Sequence, residues 1–176
     1  PVFLAPSAVD LSEYPKFVKE GPKPMISLAK CGIRPILRSL EALKDVLHNI
    51  HAEHKYQLIL AGFDANDDKH HVQQVFPFAR CWQLLTYSDY LRNMVPMLQM
   101  STLGILPFQK KDNGKSGHSA LANLAMGVPT VAAPYAECEY IIEDGVNGFL
   151  ADNFHEWYTK IEALLEDAEL RQRFRE

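Results

Sequence analysis

Four short, near-continuous apolar runs constrain the fold of this chain most. They are Met25-Ile26-Ser27-Leu28-Ala29, Gln57-Leu58-Ile59-Leu60-Ala61, Leu103-Gly104-Ile105-Leu106-Pro107 and Val128-Pro129-Thr130-Val131-Ala132. A strand with one wet face alternates apolar and polar residues, whereas a continuous apolar run suits a strand covered on both faces, the habit of parallel sheets. Cys81-Trp82-Gln83-Leu84-Leu85-Thr86 is a fifth, weaker run. Between the runs, Ile36, Leu37, Leu40, Leu43, Leu47 and Ile50 recur at helical spacing and predict one amphipathic helix of about four turns. Tyr90, Leu91, Met94, Val95 and Leu98 mark a second helix. A third is expected after Ser116, where Ala120, Ala122 and Ala125 permit close packing on a sheet. The last opens near Asn153, which has capping-box spacing to Glu156, and carries Trp157, Ile161, Leu164 and Leu165. This alternation of strand and helix predicts an α/β domain with a doubly wound, Rossmann-like, mostly parallel sheet over residues 25–176. Residues 1–24 contain Pro1, Pro6, Pro15, Pro22 and Pro24 and read as a connector wrapping onto that domain.

The 176 residues are enough for one domain with a sizeable core. Eighteen Lys and Arg against 22 Asp and Glu leave a net charge of −4, without the basic footprint that a nucleic-acid binder needs. No apolar run approaches the roughly 20 residues of a membrane span. Pro1-Val2-Phe3-Leu4 has neither an initiator Met nor a basic segment before an apolar one, so the expectation is a piece of a longer, cytoplasmic protein without a signal peptide. Cys31, Cys81 and Cys138 are widely spaced and form no C-x-x-C pair, which argues against a disulfide framework or a cysteine zinc site.

In a doubly wound sheet, ligands bind beyond the carboxyl ends of the strands. Here that means the loops after Ala29, Ala61, Thr86, Pro107 and Ala133. The fourth reads Gln109-Lys110-Lys111-Asp112-Asn113-Gly114-Lys115-Ser116-Gly117-His118-Ser119. Gly114-Lys115-Ser116 mimics the end of a P-loop, but that motif needs glycine where Gln109 stands. A plainer anion site fits the same residues. A helix start offers unpaired N–H groups and partial positive charge. Gly114 and Gly117 would let backbone approach a ligand, Ser116 and Ser119 would donate hydroxyls, and Lys115 would add full charge. The alternative is that Ser116 only caps the helix and the lysines are solvated. His118 is suited to bonding a phosphate or to packing on its helix. Glu137 and Glu139 follow a strand end, where acid–base or hydroxyl-binding work and a simple acidic helix start are both open readings. His48, His51 and His54 spread over about 120° of helix surface, an arc rather than a metal face, and read as favourable charge near a helix C-terminus. Asp64, Asn66 and Asp68 open like a calcium loop, but Lys69 and Val75 stand where Gly and Glu are required.

Two downstream segments carry a family resemblance. Ala122-Asn123-Leu124-Ala125-Met126-Gly127-Val128-Pro129-Thr130-Val131-Ala132-Ala133-Pro134 and Ile141-Ile142-Glu143-Asp144-Gly145-Val146-Asn147-Gly148-Phe149-Leu150 resemble the C-terminal, donor-binding domain of GT-B-fold glycosyltransferases of the group 1 type. The best match runs from Gly114 to Asp152. Gly32-Ile33 is similar to the family's "KG" turn, and Val2-Phe3-Leu4-Ala5-Pro6 with Val9-Asp10 to its interdomain segment. The resemblance implies hexosyl transfer from a nucleoside-diphosphate sugar to a sugar or glycan acceptor held by an N-terminal domain outside this chain. The fragment alone would then be inactive. It also implies no cofactor besides the donor, no metal, no nucleic-acid partner, and peripheral membrane association as an option for the full-length protein. Lys115, Glu137 and Glu139 would serve catalysis. Gly114, Ser116, Gly117, His118 and Ser119 would face the donor diphosphate, Tyr135 its sugar, and Lys30, Gly62 and Tyr87 its nucleoside.

Departures accompany the match. The family's paired glutamates, spaced E-x7-E, fall on Gly114 and Ala122. In a second branch, reading "G-K-S-x-L-K-x-L-E", Gly114, Lys115 and Ser116 fit, but Ser119 replaces the second lysine and Ala122 the glutamate. The "KG" lysine is Cys31, with Lys30 adjacent, and the glutamate before the DG turn is Tyr140, with Glu139 adjacent. Two other readings therefore stand beside a transferase: a non-catalytic nucleotide-sugar or partner-binding module, and a sugar-nucleotide epimerase of the same fold.

Overall fold

The computed structural model describes residues 10, 12, 20–29, 34–63, 69–83, 86, 92, 95–112 and 117–176. The four apolar runs become β1 (Met25–Ala29), β2 (Gln57–Phe63), β4 (Leu103–Leu106) and β5 (Thr130–Ala132). The weak fifth run shifts two residues earlier to β3 (Ala79–Gln83), and a two-residue β6 (Phe149–Leu150) was not expected. β5 starts after Pro129, which has no N–H for a ladder; its carbonyl instead accepts the Gly104 N–H at 2.8 Å. All strand pairs are parallel, in the order β3-β2-β1-β4-β5-β6. The chain winds outward from β1 through β2 to β3, then returns to β4 and winds the other way, so β1 and β4 flank the switch point where ligands bind in such sheets.

Helices cover both faces, which is why β1, β2, β4 and β5 are near-continuously apolar. Ile26, Leu28, Leu58 and Leu60 pack with Val46, Leu47 and Ile50 of α2 (Lys44–His54) and with Trp157, Ile161 and Leu164, carried by a later helix. The alternate residues Met25, Ile59 and Ala61 point the other way, onto Val95 and Leu98 and onto Ala122, Met126 and Val128. Full burial of each large aliphatic is worth about 1.5–3 kcal/mol, so the two-sided pattern is energetically decisive. The expected long first helix is two: α1 (Arg34–Ala42) stops before Leu43, whose N–H bonds to Leu40 one residue short of helical register, at 3.0 Å. The remaining helices are α3 (Lys69–Val75), α4 (Val95–Leu98), α5 (His118–Ala125), α6 (Cys138–Ile141), α7 (Phe154–Glu166) and α8 (Ala168–Arg175). α7 opens as expected: the Asn153 side chain accepts the Glu156 N–H at 3.0 Å, while the Glu156 carboxylate reaches the Asp152 N–H at 2.9 Å.

Close packing of α5 depends on Gly104, where an added Cβ would stand 2.5 Å from Asn123 Nδ2. That buried amide donates to Thr130 Oγ1 at 3.1 Å, and the Thr130 hydroxyl donates to the Val128 carbonyl at 2.9 Å, so the polar groups are satisfied. Glu20 is gripped by Arg171 (2.7 and 3.2 Å) and Arg175 (2.8 Å), which tethers the segment before β1 to α8.

Within the histidine arc, His51 departs from the charged reading. His51 stacks on Phe78 at 4.0 Å, His48 meets the same ring edge-on at 5.1 Å, and His48 Nε2 lies 2.7 Å from the Val75 carbonyl. Burial, then Lys55 and His48, push the His51 pKa down, so that ring favours its neutral form. Among the described residues, no helix is long and apolar enough to cross a membrane.

Candidate functional site

β4 delivers the chain to the carboxyl end of the sheet through Pro107, Phe108 and Gln109, and a single tight turn (Lys110–Asp112) presents Lys110 and Lys111 to solvent. α5 then begins at His118 with Gly117 as its N-cap, rather than Ser116. Gly117 has no side chain with which to cap. Its N–H is taken instead by Glu137 Oε2, at 2.7 Å, from twenty residues downstream. A Cβ at Gly117 would stand 2.2 Å from Ile141 Cδ1 and 2.9 Å from Glu137 Cβ. Only glycine lets the helix start sit this close to the loop after β5.

That loop is itself under tension. Ala133 donates to the Leu106 carbonyl at 3.0 Å, extending the β4–β5 ladder by one bond. Ala136 then adopts φ +58°, a left-handed conformation that costs a residue with a Cβ roughly 1–2 kcal/mol. Such strain concentrates at ligand sites. Tyr135 Oη donates to Asp152 Oδ1 at 2.7 Å, tying the loop to the start of α7; this bond to a carboxylate raises the phenol's pKa. Glu139 lies exposed in the first turn of α6, hydrogen-bonded to the hydroxyl of Tyr140, which is itself 78% exposed.

The expected site residues thus separate into groups. Gly117, His118 and Ser119 form the start of α5, and Glu137 is brought directly onto it. Gly62 stands near the carboxyl end of β2 with φ +116°, at the point where the β2–β3 register shifts. Tyr135 faces Asp152, and Glu139 pairs with Tyr140 at the surface. Lys30, Tyr87, Gly114, Lys115 and Ser116 lie outside the described residues.

A cavity of about 320 Å³ opens beside this loop cluster, between α1 and the start of α7. Ser39, Leu43, Phe108, Lys110, Tyr135 and Trp157 contribute to its walls; of the expected site residues that are described, Tyr135 alone does so. Asp152, which also lines the cavity, escaped the sequence reading, because the two-residue strand before it leaves no pattern to mark a strand end. The Asp-Gly-x-Asn-Gly segment is structural. Asp144 accepts the Leu150 N–H at 2.8 Å and pairs with Lys160 at 3.0 Å, and Asn147 bridges Glu143 and Ile141.

The family model described as "Glycosyl transferases group 1" matches residues 32–167. The chain belongs to this family. Solved structures agree on the fold: the C-terminal domain of the group 1 glycosyltransferase LpcC from Francisella tularensis matches with a TM-score of 0.68 at 13% identity, covering 96% of this chain and 93% of that one. Sucrose-phosphate synthase from Thermosynechococcus elongatus matches with a TM-score of 0.72 at 13% identity, over 96% of this chain and 44% of that one. HepE from Anabaena, solved with UDP and glucose, matches with a TM-score of 0.68 at 15% identity, over 95% and 48%. The chain therefore spans less than half of those two proteins and nearly all of the LpcC domain. No curated protein matches it in sequence. Within the glycosyltransferase group 1 family, this chain has the fold of the C-terminal, Rossmann-like half of GT-B.

Proposed function

We propose that this domain holds the nucleoside-diphosphate sugar donor of a glycosyltransferase, for transfer to a sugar or glycan acceptor on a second domain outside this chain. The observation that supports this reading best is the start of α5 beyond the carboxyl end of β4, packed through Gly117 so closely onto the β5 loop that no side chain fits. The presence of UDP and glucose in the HepE structure supports the same donor class.

Sugar transfer requires stabilising the charge that grows on the departing nucleoside diphosphate. In this reading the α5 start contributes its dipole, Ser116 and Ser119 donate hydroxyls, His118 bonds a phosphate oxygen, and Lys115 supplies the full positive charge, so no metal ion is needed there. Tyr135 and Glu139 flank the sugar. Lys30, Gly62 and Tyr87 border the nucleoside. Glu137 acts as a positioning residue: its carboxylate fixes the height of the α5 start against the β5 loop through Gly117.

The test is nucleoside-diphosphate release from a panel of sugar nucleotides by the full-length protein, with and without acceptor sugars. Acceptor-dependent release from one donor is the expected result. Binding of nucleoside diphosphates without release from any donor would favour a non-catalytic module, a reading motivated by Gly114 and Ala122 at the family's glutamate positions.

A further inference from the structure

We propose that Glu53, His54 and Glu162, with Tyr158 behind them, form a site for one divalent transition-metal cation, best suited to zinc, that bolts α2 to α7. The donor atoms of the three residues lie within 4.8 Å of one another, and Glu162 Oε1 is 4.0 Å from His54 Nε2. Ligands about 2.1 Å from one ion stand about 3.0–3.5 Å apart, so small rotations of the two glutamates close the set. Among the described residues, His54 Nε2 is buried yet has no hydrogen-bond partner. A buried ring nitrogen without a partner is costly, and a cation supplies what the protein does not.

The donor set also narrows the ion. Two carboxylates balance a double positive charge, while neutral imidazole favours zinc and its transition-metal neighbours over magnesium or calcium, which take oxygen ligands. Tyr158 Oη donates to Glu53 Oε2 at 2.8 Å, the kind of outer partner that orients a ligating carboxylate. α2 ends two residues before β2, so the cluster sits at the amino-terminal edge of the sheet, away from the loops of the donor site. The inference is independent of the proposed function.

The test is calorimetric titration of the chelator-stripped chain with ZnCl2, paired with thermal unfolding and with the visible absorption of bound Co2+. Expected are one zinc per chain, a raised Tm, and affinity at least about tenfold weaker in H54A, E53Q and E162Q, with a loss of about tenfold in Y158F. E53Q and E162Q are isosteric, and far-UV circular dichroism checks that each variant is folded. H70A/H71A, which removes an exposed pair near Glu41, should bind zinc like the parent chain. Absence of zinc binding would overturn the proposal, as would binding that survives in both H54A and E162Q or disappears in H70A/H71A.

Discussion

Glu137 Oε2 lies 2.7 Å from the backbone nitrogen of Gly117, so a loop carboxylate caps the helix that follows β4. The bond joins two segments twenty residues apart in sequence and fixes the relative height of the α5 start and the β5–α6 loop. A hydrogen bond to a charged group is worth about 1.5–3 kcal/mol, so Glu137→Ala should lower unfolding stability by about that amount. Glu137→Gln, which keeps an acceptor, should lose about half as much. Urea denaturation of the two variants measures both.

Gly117→Ala should destabilise by about 1–3 kcal/mol, because its Cβ would overlap Ile141 Cδ1 and Glu137 Cβ. The clash at Ile141 is with the far end of a flexible chain. Shortening it with Ile141→Val should therefore recover part of the loss, and a double-mutant cycle should show coupling. Strictly additive effects would mean that the close approach is not what demands glycine.

Glu20 ties the segment before β1 to Arg171 and Arg175. Burial pushes its pKa up, but hydrogen bonds and charge from the two arginines outweigh that, and the net shift is below the usual 4.5. A carboxyl lowered on folding contributes its stability above the unfolded pKa and loses it as pH falls through the folded one. Stability should therefore decline below about pH 4.5, and Glu20→Gln should flatten that part of the profile. At neutral pH, Glu20→Ala should cost about 2–3 kcal/mol, somewhat less than for a fully buried pair, because it strands Arg171.

Asn153→Ala removes the side-chain acceptor for the Glu156 N–H and should cost about 1 kcal/mol. The effect should appear as fraying of the first turn of α7, readable by amide hydrogen exchange. Tyr135→Phe, which frees Asp152 at the same junction, should leave that exchange pattern unchanged while altering the cavity wall.

The architecture was legible because burial on both faces leaves its mark residue by residue. Met25 and Ile26 face opposite layers, as do Ile59 and Leu60, and no solvent-facing strand would tolerate either pair. The break at Leu43 was not legible, since Leu40, Leu43 and Leu47 keep helical spacing across it. β6 was hidden because two residues are too short to show a period. In the site, the α5 start could be placed from its glycine, serine and lysine pattern. The partnership of Gly117 with Glu137 could not, because it depends on how two loops stack after the sheet has formed. The histidines failed differently: spacing described their arc, but not the burial and the neighbouring Lys55 and His48 that favour the neutral form of His51.

Binding of a sugar-nucleotide diphosphate at the α5 start, as proposed above, is tested by calorimetric titration of nucleoside diphosphates into the parent chain and Lys115→Ala. Saturable binding of one nucleoside diphosphate at a single site is expected, weakened about tenfold or more by the substitution, equivalent to about 1.4 kcal/mol. Equal affinity in both proteins, or no binding of any nucleoside diphosphate, would contradict it.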